Sequence, residues 1–281
     1  FHNDPLSMSG SKTISERIFL LNSCYRIIFN SNWSKKRFLQ NMKSDAINSE
    51  KLLVINQSAS KNKINFKTKK KIITFVGKLN RSKGYDLFGK AVIKILKNYT
   101  DWSAYVVGDE PRDKLEFSHN RLFKLGFKEH KEVLNIYKKT SIAVVCSRWE
   151  EPFGRSSLEA AANGCAVIIS NKGGLPETIT NGKILKNLTV KEIYNNIKDL
   201  IINPQLRKNY QKLSYKNFYL SHQYVSSQID DVRNDLLKVN KINTKKTYSQ
   251  LRILHITNFN ERHNGRLFFN TGRRLNNGFI R

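Results

Sequence analysis

Short apolar runs alternate with helical periods from about residue 50 onward. The run KIITFVG (71–77) is rich in β-branched residues and ends in glycine, which is typical of a buried strand before a turn. In YDLFGKAVIKILKNY (85–99), apolar residues recur every three to four positions and predict an amphipathic helix. The same alternation continues along the chain. It predicts strands at 102–109, 121–126, 141–147 and 165–170, and helices at 130–140 and 154–164.

Strands that alternate with helices form βαβ units, which build a parallel sheet. The pattern therefore predicts a doubly wound, Rossmann-like α/β domain over residues 50–203. In such sheets ligands bind at the carboxyl ends of the strands. We expect the glycine-ended strands to deliver their loops to one binding edge.

The pattern changes on both sides of this domain. Residues 1–49 contain a helix, a strand and a second helix capped by Ser31 or Asn32, so we interpret them as the end of another domain. Residues 204–238 are predicted to be helical. Residues 239–250 are polar and rich in Lys, and they are predicted to form a linker. Residues 251–281 restart with a strand, a glycine loop and a helix, as an α/β domain begins.

Charge is the feature of the composition that bears on function. The chain has 50 Lys and Arg against 22 Asp and Glu, a net charge of +28. An anionic partner is one interpretation: a nucleotide phosphate, a nucleic acid or a membrane surface. Compositional drift is the other, and the even spread of basic residues along a chain rich in Lys, Asn and Ile favours it. A peripheral contact with anionic lipid remains a minor expectation.

Three cysteines without CxxC spacing indicate reduced thiols, with Cys146 and Cys165 in the core. No apolar run reaches the roughly 18 residues of a membrane-spanning helix, and the observed start shows no signal-peptide pattern. We therefore expect a cytoplasmic protein, with any membrane contact peripheral and at the inner face.

Two glutamates flank a glycine turn in SRWEEPFGRSSLEAAANGCAVIIS (147–170). Because a helix is predicted to begin near Gly154, Phe153 and Gly154 would present backbone N–H groups that suit an anion. Glu151 precedes this turn and Glu159 lies inside the helix, and carboxylates accept well from sugar hydroxyls. Glu150 is expected in solvent. In a chain with 22 acidic residues, two glutamates eight positions apart arise readily by chance. The assignment as a binding site therefore depends on the loop, the Phe-Gly turn and the small-residue helix around them.

A second candidate is the turn VGKLNRSKGYD (76–86), which follows a strand and opens a helix. Lys78, Arg81 and Lys83 would crowd one strand edge, and three cations there suit a diphosphate. A solvated Lys-rich turn is the alternative. The segment is not a Walker A loop, and the sequence contains no GxGxxG, which weakens a nicotinamide or flavin assignment.

A third candidate is NKGGLPETI (171–179), where Gly173 and Gly174 form a strand-to-helix turn and Glu177 lies near the helix start. A simple helix entry is the alternative.

The three blocks GKLNRSKG, EPFGRSSLE and GGLPE, in this order, resemble the donor-binding domain of family-4 retaining glycosyltransferases, which have the GT-B fold. The resemblance covers roughly residues 50–238. It implies a glycosyltransferase that moves a sugar from a nucleotide diphosphate sugar to a hydroxyl of a glycan, lipid or other acceptor, with retention of configuration. It implies no cofactor and no metal, and the sequence has no Asp-x-Asp motif.

The resemblance also implies roles for individual residues. Lys83 and Lys78 would bind the diphosphate. Lys78 stands where the family usually has arginine, so the bidentate contact of a guanidinium group is lost there. Arg81 could compensate for this loss. Glu151 would lie near the transferred sugar and Glu159 would bind the ribose. Backbone N–H groups of Phe153 and Gly154 would bind sugar and phosphate. Further substrate contacts would come from Gly126, Phe127, Lys128 and Gly174.

The flanks are similar to the family's other domain. FHNDP (1–5) resembles a loop that carries an active-site histidine in many members, so His2 is a catalytic candidate, with a plain exposed histidine as the alternative. LRILHITNFNERHNG (251–265) resembles the first strand and glycine loop of another such transferase. The chain would then join the end of one transferase to the start of a second, either as a tandem enzyme or as a gene-boundary artefact.

Two other functions compete with this interpretation. Another GT-B enzyme, such as a nucleotide-sugar epimerase or a phosphorylase, would share the fold. A basic nucleic-acid-binding protein would account for the charge. The sequence contains no aromatic-basic interleaving or recognised nucleic-acid module, and we expect no nucleic-acid partner.

Overall fold

The computed structural model describes residues 1–42, 49–113 and 115–240. The strands are β1 Ile27–Phe29, β2 Leu52–Val54, β3 Lys70–Val76, β4 Ser103–Val107, β5 Leu122–Lys124, β6 Thr140–Val145, β7 Ala166–Ser170 and β8 Lys183–Leu185. The helices are α1 Ile14–Ser23, α2 Asn32–Leu39, α3 Tyr85–Asn98, α4 His130–Lys139, α5 Arg155–Ala162, α6 Val190–Ile202, α7 Pro204–Lys216 and α8 His222–Asn240. Short 3-10 helices cover Pro5–Ser7, Ser49–Lys51, Phe66–Thr68 and Leu175–Thr178.

Six parallel strands form the main sheet in the order β5-β4-β3-β6-β7-β8. All five pairings are parallel, as predicted from the alternation of strands and helices. The strand β7 is buried along its whole length. Such burial is typical of a parallel sheet covered on both faces, and it explains why the strands read as continuous apolar runs.

The helix α3 contributes a continuous stripe to the core because its apolar residues recur with helical spacing. Phe88, Val92 and Ile95 are fully buried against the sheet. Burying each such side chain stabilises the fold by roughly 1.5–3 kcal/mol. The exposed residues Lys90 and Lys94 lie between these positions, as the sequence pattern requires.

The order of the strands creates a switch point between β3 and β6. From β3 the chain proceeds to β4 and β5 on one side, and it then returns to β6 on the other side. Loops at the carboxyl ends of the two central strands therefore diverge and leave a crevice, which is where open α/β sheets bind ligands.

The N-terminal segment has its own two-stranded parallel sheet, in which Ile27 of β1 is paired with Leu52 of β2. Leu21, Phe29 and Phe38 pack with these two residues in a separate apolar cluster. The sequence predicted that the main domain starts at residue 50. The strand β2 lies after this predicted boundary but pairs with β1, which lies before it. A three-residue strand carries no pattern that identifies its partner.

The C-terminal part is helical, as predicted for residues 204–238. The helix α8 reaches Asn240, so the first two residues of the predicted linker 239–250 are helical. The rest of that linker and the domain start predicted over 251–281 lie outside the described residues. Residues Phe1–Asp231 form one compact unit, and a second unit begins at Val232, within α8. Within the described ranges, no helix is both long and apolar enough to cross a membrane.

The thiols agree with the prediction from the sequence. Cys146 and Cys165 are buried, Cys24 is half-buried, and all three are free.

Candidate functional site

A small cavity of about 60 Å³ lies at the switch point between β3 and β6. Its walls come from the ends of these two strands, the loops that follow them and the first turn of α5. The polar and charged residues in its lining are Lys83, Ser147, Glu151, Arg155 and Ser156, and Gly77, Gly154 and Leu175 also contribute.

Lys83 reaches the cavity from the turn after β3, directly before Gly84. Gly84 has a φ of +75°, and a Cβ atom there would lie 1.9 Å from the carbonyl oxygen of Cys146. Only glycine lets the turn approach the end of β6 this closely. The Lys83 ammonium forms an ion pair with the Glu151 carboxylate, whose side chain is only 14% exposed.

Further contacts tie the turn after β3 to the loop after β6. The Arg148 guanidinium binds the Asp86 carboxylate through two hydrogen bonds of 2.6 and 2.8 Å. The backbone N–H groups of Arg148 and Trp149 both donate to the carbonyl of Ser82, at 2.8 and 3.1 Å. The arginine hydrogen bonds and charge hold the pKa of Asp86 below its usual range, despite partial burial.

The Gly-Gly turn after β7 supports the loop that carries Glu151. The Gly174 N–H donates to the Glu151 carbonyl at 2.6 Å, and the Gly173 N–H donates to the Glu150 carboxylate at 2.7 Å. Gly173 has a φ of +59°, and a Cβ atom there would lie 2.2 Å from the Glu151 carbonyl oxygen. Glu150 is exposed to solvent, as expected, and its carboxylate also caps this turn.

The helix α5 begins directly at the cavity, as the sequence predicted. Its N-cap is Gly154, with a φ of +112° and no side-chain cap. Uncapped N–H groups and the helix dipole favour an anion at this position. Phe153 is 1% exposed and anchors the turn in the core, and it does not line the cavity.

Glu159 is 6% exposed and already has two partners. Its carboxylate accepts from Arg155 Nη2 at 2.9 Å and lies 3.0 Å from His130 Nε2. The sequence analysis missed both partners. Arg155 could have been found, because it precedes Glu159 by four positions on the same helix. His130 could not, because it comes from α4.

The remaining predicted substrate residues lie around the cavity and do not line it. Lys78 and Arg81 are exposed in the same turn as Lys83. Gly126, Phe127 and Lys128 follow β5, so they belong to the same carboxyl edge of the sheet.

His2 lies apart from the residues that line the cavity. Its ring nitrogen Nδ1 is 3.4 Å from Gln57 Nε2, and its carbonyl accepts from Asn30 Nδ2 at 3.1 Å. Burial lowers the pKa of His2 below its ordinary value. The catalytic role of His2 stays a prediction.

Glu177 is engaged at the N-terminus of α2, not at its own helix start. Its carboxylate accepts from the backbone N–H groups of Asn32 and Trp33 at 2.8 and 2.9 Å. Beside it, Ser31 Oγ donates to the Pro152 carbonyl at 2.5 Å. The Gly-Gly-Leu-Pro-Glu turn therefore links the N-terminal segment to the loop that carries Glu151.

The described residues contain no group of three or more His, Cys, Asp or Glu side chains placed to hold a metal ion. The expectation that the protein needs no metal or cofactor stays a prediction.

Comparisons with known proteins cover the part of the chain that forms this site. Residues 56–217, more than half of the chain, match the family described as "Glycosyl transferases group 1". Spore coat protein SA of Bacillus subtilis (strain 168) is 30% identical over 162 residues, which is 52% of this chain and 43% of that protein. The lipopolysaccharide core biosynthesis mannosyltransferase LpsB of Rhizobium meliloti (strain 1021) is 32% identical over 123 residues, which is 40% of this chain and 35% of that protein. The chain thus spans less than half the length of these curated relatives.

Among solved structures, Anabaena Alr3699/HepE in complex with UDP-glucose superimposes with a TM-score of 0.66 at 19% identity. The match covers 83% of this chain and 71% of that chain. At this identity the likeness shows the fold alone. It confirms the predicted α/β fold of GT-B type with a Rossmann-like parallel sheet. The assignment of residues 1–49 and 251–281 to partial domains stays a prediction.

Proposed function

This chain belongs to the group 1 glycosyl transferases, and we propose that it moves a sugar from a nucleoside diphosphate sugar to an acceptor hydroxyl with retention of configuration. The observation that carries the proposal is the placement of Lys83, Glu151 and the N-terminus of α5 around one cavity at the switch point of the sheet. A diphosphate and a sugar need a cation, uncapped N–H groups and a carboxylate in this arrangement.

In the proposed reaction the bond between the sugar C1 atom and the diphosphate oxygen breaks. Negative charge develops on the departing diphosphate, and stabilising it is the largest task of the site. Lys83 and the N-terminal turn of α5 supply positive potential there. Lys78 and Arg81, exposed in the same turn, would add long-range attraction.

The two glutamates would bind hydroxyl groups on either side of the diphosphate. Glu151 would accept from the transferred sugar, and Glu159 from the ribose. In the structure Glu151 is bound to Lys83, and Glu159 is bound to Arg155 and His130. Donor binding would therefore exchange these internal contacts for contacts with the ligand. Phe127, which is 58% exposed beyond β5, would stack on the nucleobase.

The acceptor hydroxyl forms the new bond to C1, and we propose that its proton passes to a phosphate oxygen of the donor. The acceptor would be a hydroxyl of a glycan or a lipid. We further propose that the charge of this cation-rich site stands in for a metal, and that the protein works in the cytoplasm with at most a peripheral contact to anionic membrane. The complex with UDP-glucose formed by Alr3699/HepE makes a uridine diphosphate sugar the first donor to test.

The proposal is tested by measuring the binding of UDP and GDP, and the hydrolysis of UDP- and GDP-sugars, with the wild type, Lys83→Ala and Glu159→Ala. We expect both substitutions to weaken binding by about tenfold or more, because each removes a charge-assisted contact of roughly 1.5–3 kcal/mol. Lys71→Ala is the matched control, since Lys71 is also ion-paired with a carboxylate, that of Asp101, and does not line the cavity. Equal binding by all four proteins would contradict the proposed function.

A further inference from the structure

The turn that carries Lys83 is built around the side chain of Asn80. Asn80 Oδ1 accepts from the Lys83 backbone N–H at 3.0 Å and from Ser82 Oγ at 3.0 Å. On the other side, Asn80 Nδ2 donates to Glu110 Oε2 at 3.4 Å. The Asn80 carbonyl also accepts from the Tyr85 N–H at 3.1 Å, so this residue organises the entry to α3.

The orientation of the Asn80 amide is fixed from both sides. The Lys83 backbone N–H can only donate, so it requires the amide oxygen. Hydrogen bonds from Arg112 hold the pKa of Glu110 at about 2, so its carboxylate is ionised and can only accept. It therefore requires the amide nitrogen. An isosteric carboxylate at position 80 would satisfy Lys83 and oppose Glu110.

Glu110 belongs to a second turn, residues 109–113, that follows β4 and supports the first turn at several points. The Leu79 N–H donates to the Asp109 carbonyl at 3.5 Å, and the Arg81 N–H lies 3.3 Å from Asp113 Oδ2. The Glu110 side chain is 5% exposed, so it is a fixed part of this support. Arg112, which is 71% exposed, closes the turn from the solvent side.

We propose that Asn80 and Glu110 are positioning residues of the diphosphate site. They fix the backbone at Lys83 and so direct its ammonium group to the cavity before the donor arrives. This inference rests on the proposed function, because it assigns the contacts a purpose in donor binding. A group that is already held in the bound geometry loses less entropy when the ligand binds. Neither residue need touch the donor.

The test reverses the polarity of the contact between the two side chains. Asn80→Asp retains the acceptor for Lys83 but places two carboxylates against each other. The double substitution Asn80→Asp with Glu110→Gln restores a donor–acceptor pair in the opposite sense, and the exposed Arg112 can adjust to it. Asn65→Asp is the matched control, because Asn65 Oδ1 also accepts from a backbone N–H that follows it, that of Lys67 at 3.0 Å, away from the cavity.

UDP and GDP are the probes, and binding to the full chain is measured by calorimetry. We expect Asn80→Asp to weaken binding about tenfold, the double substitution to return it to within about threefold of the wild type, and Asn65→Asp to leave it unchanged. Melting temperatures of all variants show whether a loss of binding is a loss of fold. If Asn80→Asp binds as the wild type does, or if the double substitution restores nothing, the inference is overturned.

Amide hydrogen exchange gives a second readout that needs no nucleotide. Asn80→Ala removes the acceptor of the Lys83 N–H, and we expect exchange at Lys83 to accelerate about tenfold or more while the core strands stay protected. Unchanged exchange would overturn the inference. A wild type that binds neither UDP nor GDP would instead contradict the proposed function, and exchange at Lys83 would then decide whether Asn80 fixes the turn.

Discussion

The ammonium of Lys83 and the carboxylate of Glu151 form an ion pair across the switch point of the sheet, one from the turn after β3 and the other from the loop after β6. Under the proposed function, a diphosphate would compete with Glu151 for this lysine. Substitution of Glu151 and substitution of Lys83 should therefore change UDP binding in opposite directions.

Glu151→Gln is expected to bind UDP about twofold to tenfold more tightly than the wild type, because the competing charge is removed. Sugar transfer should nevertheless fall by about a hundredfold or more, since under the proposed function the same carboxylate binds the transferred sugar. Lys83→Ala should lose binding and transfer together. Calorimetry with UDP and turnover of UDP-sugars measure both quantities. Weaker UDP binding by Glu151→Gln would show that Glu151 does not compete for Lys83.

Glu177→Ala removes the carboxylate that accepts from the N-terminus of α2. We expect a loss of about 1–2 kcal/mol in the free energy of unfolding, as for the removal of a helix cap, together with weaker UDP binding, because the Glu151 loop loses its link to the N-terminal segment. Glu192→Ala is the control. Its carboxylate also accepts backbone N–H groups, those of Lys186 and Asn187, but away from the cavity. Equal effects of both variants on UDP binding would refute this role for Glu177.

Asp86→Asn tests the link between the turn after β3 and Arg148. Arg148 lowers the pKa of Asp86 in the folded protein, so the ionised carboxylate stabilises the fold above the unfolded pKa of about 3.9, and this stabilisation is lost as the pH falls through the lowered folded pKa. Because both side chains are partly exposed, we expect a loss of only about 0.5–1 kcal/mol at pH 7.

Urea unfolding of the wild type and Asp86→Asn at pH 7 and pH 2.5 measures this effect. The difference in unfolding free energy between the two proteins should shrink at the lower pH, because the carboxyl group of the unfolded protein is then protonated. A difference that stays constant with pH would mean that the ion pair contributes nothing.

Gly84→Ala should destabilise the protein far more than a positive φ alone explains. The conformation costs an alanine roughly 1–2 kcal/mol, and the clash with the Cys146 carbonyl adds to this cost. Gly10→Ala is the control, with a φ of +88° and no atom within 4 Å of the added Cβ. Thermal unfolding of the two variants isolates the contribution of the clash. Equal losses would show that the β6 carbonyl moves aside at no cost.

The sequence predicted the main sheet well because burial on both faces leaves a clear mark on it. The strands β6 and β7 are buried at almost every position and contain runs of four apolar residues, and the glycines after β3, β4 and β5 mark the carboxyl edge of the sheet. The order of the sequence motifs that contain Lys83, Glu151 and Glu159 then predicted the candidate site. The structure brings Lys83 and Glu151 into contact.

Contacts between loops were not predictable in the same way. The partners of Glu177 at Asn32 and Trp33 are about 145 residues away in the chain, and no periodic pattern encodes such a pairing. The strand β8 was missed, since only one of its three residues is buried. The pairing of β2 with β1 was missed because no periodic pattern encodes which strands pair. Asn80 lies in the turn after β3 and Glu110 in the turn after β4. These turns meet only because the two strands are neighbours in the sheet.

The internal partners of Glu151 and Glu159 also bear on which small molecules the protein ignores. Under the proposed function, a free phosphate ion could reach Lys83 only by displacing Glu151, and a free ribose could reach Glu159 only by displacing Arg155 and His130. Neither fragment would gain enough from one exchange to remain bound. A complete nucleotide makes both exchanges at once, so the resting protein would stay unoccupied in a cell rich in inorganic phosphate and free sugars and respond only when both halves arrive on one molecule.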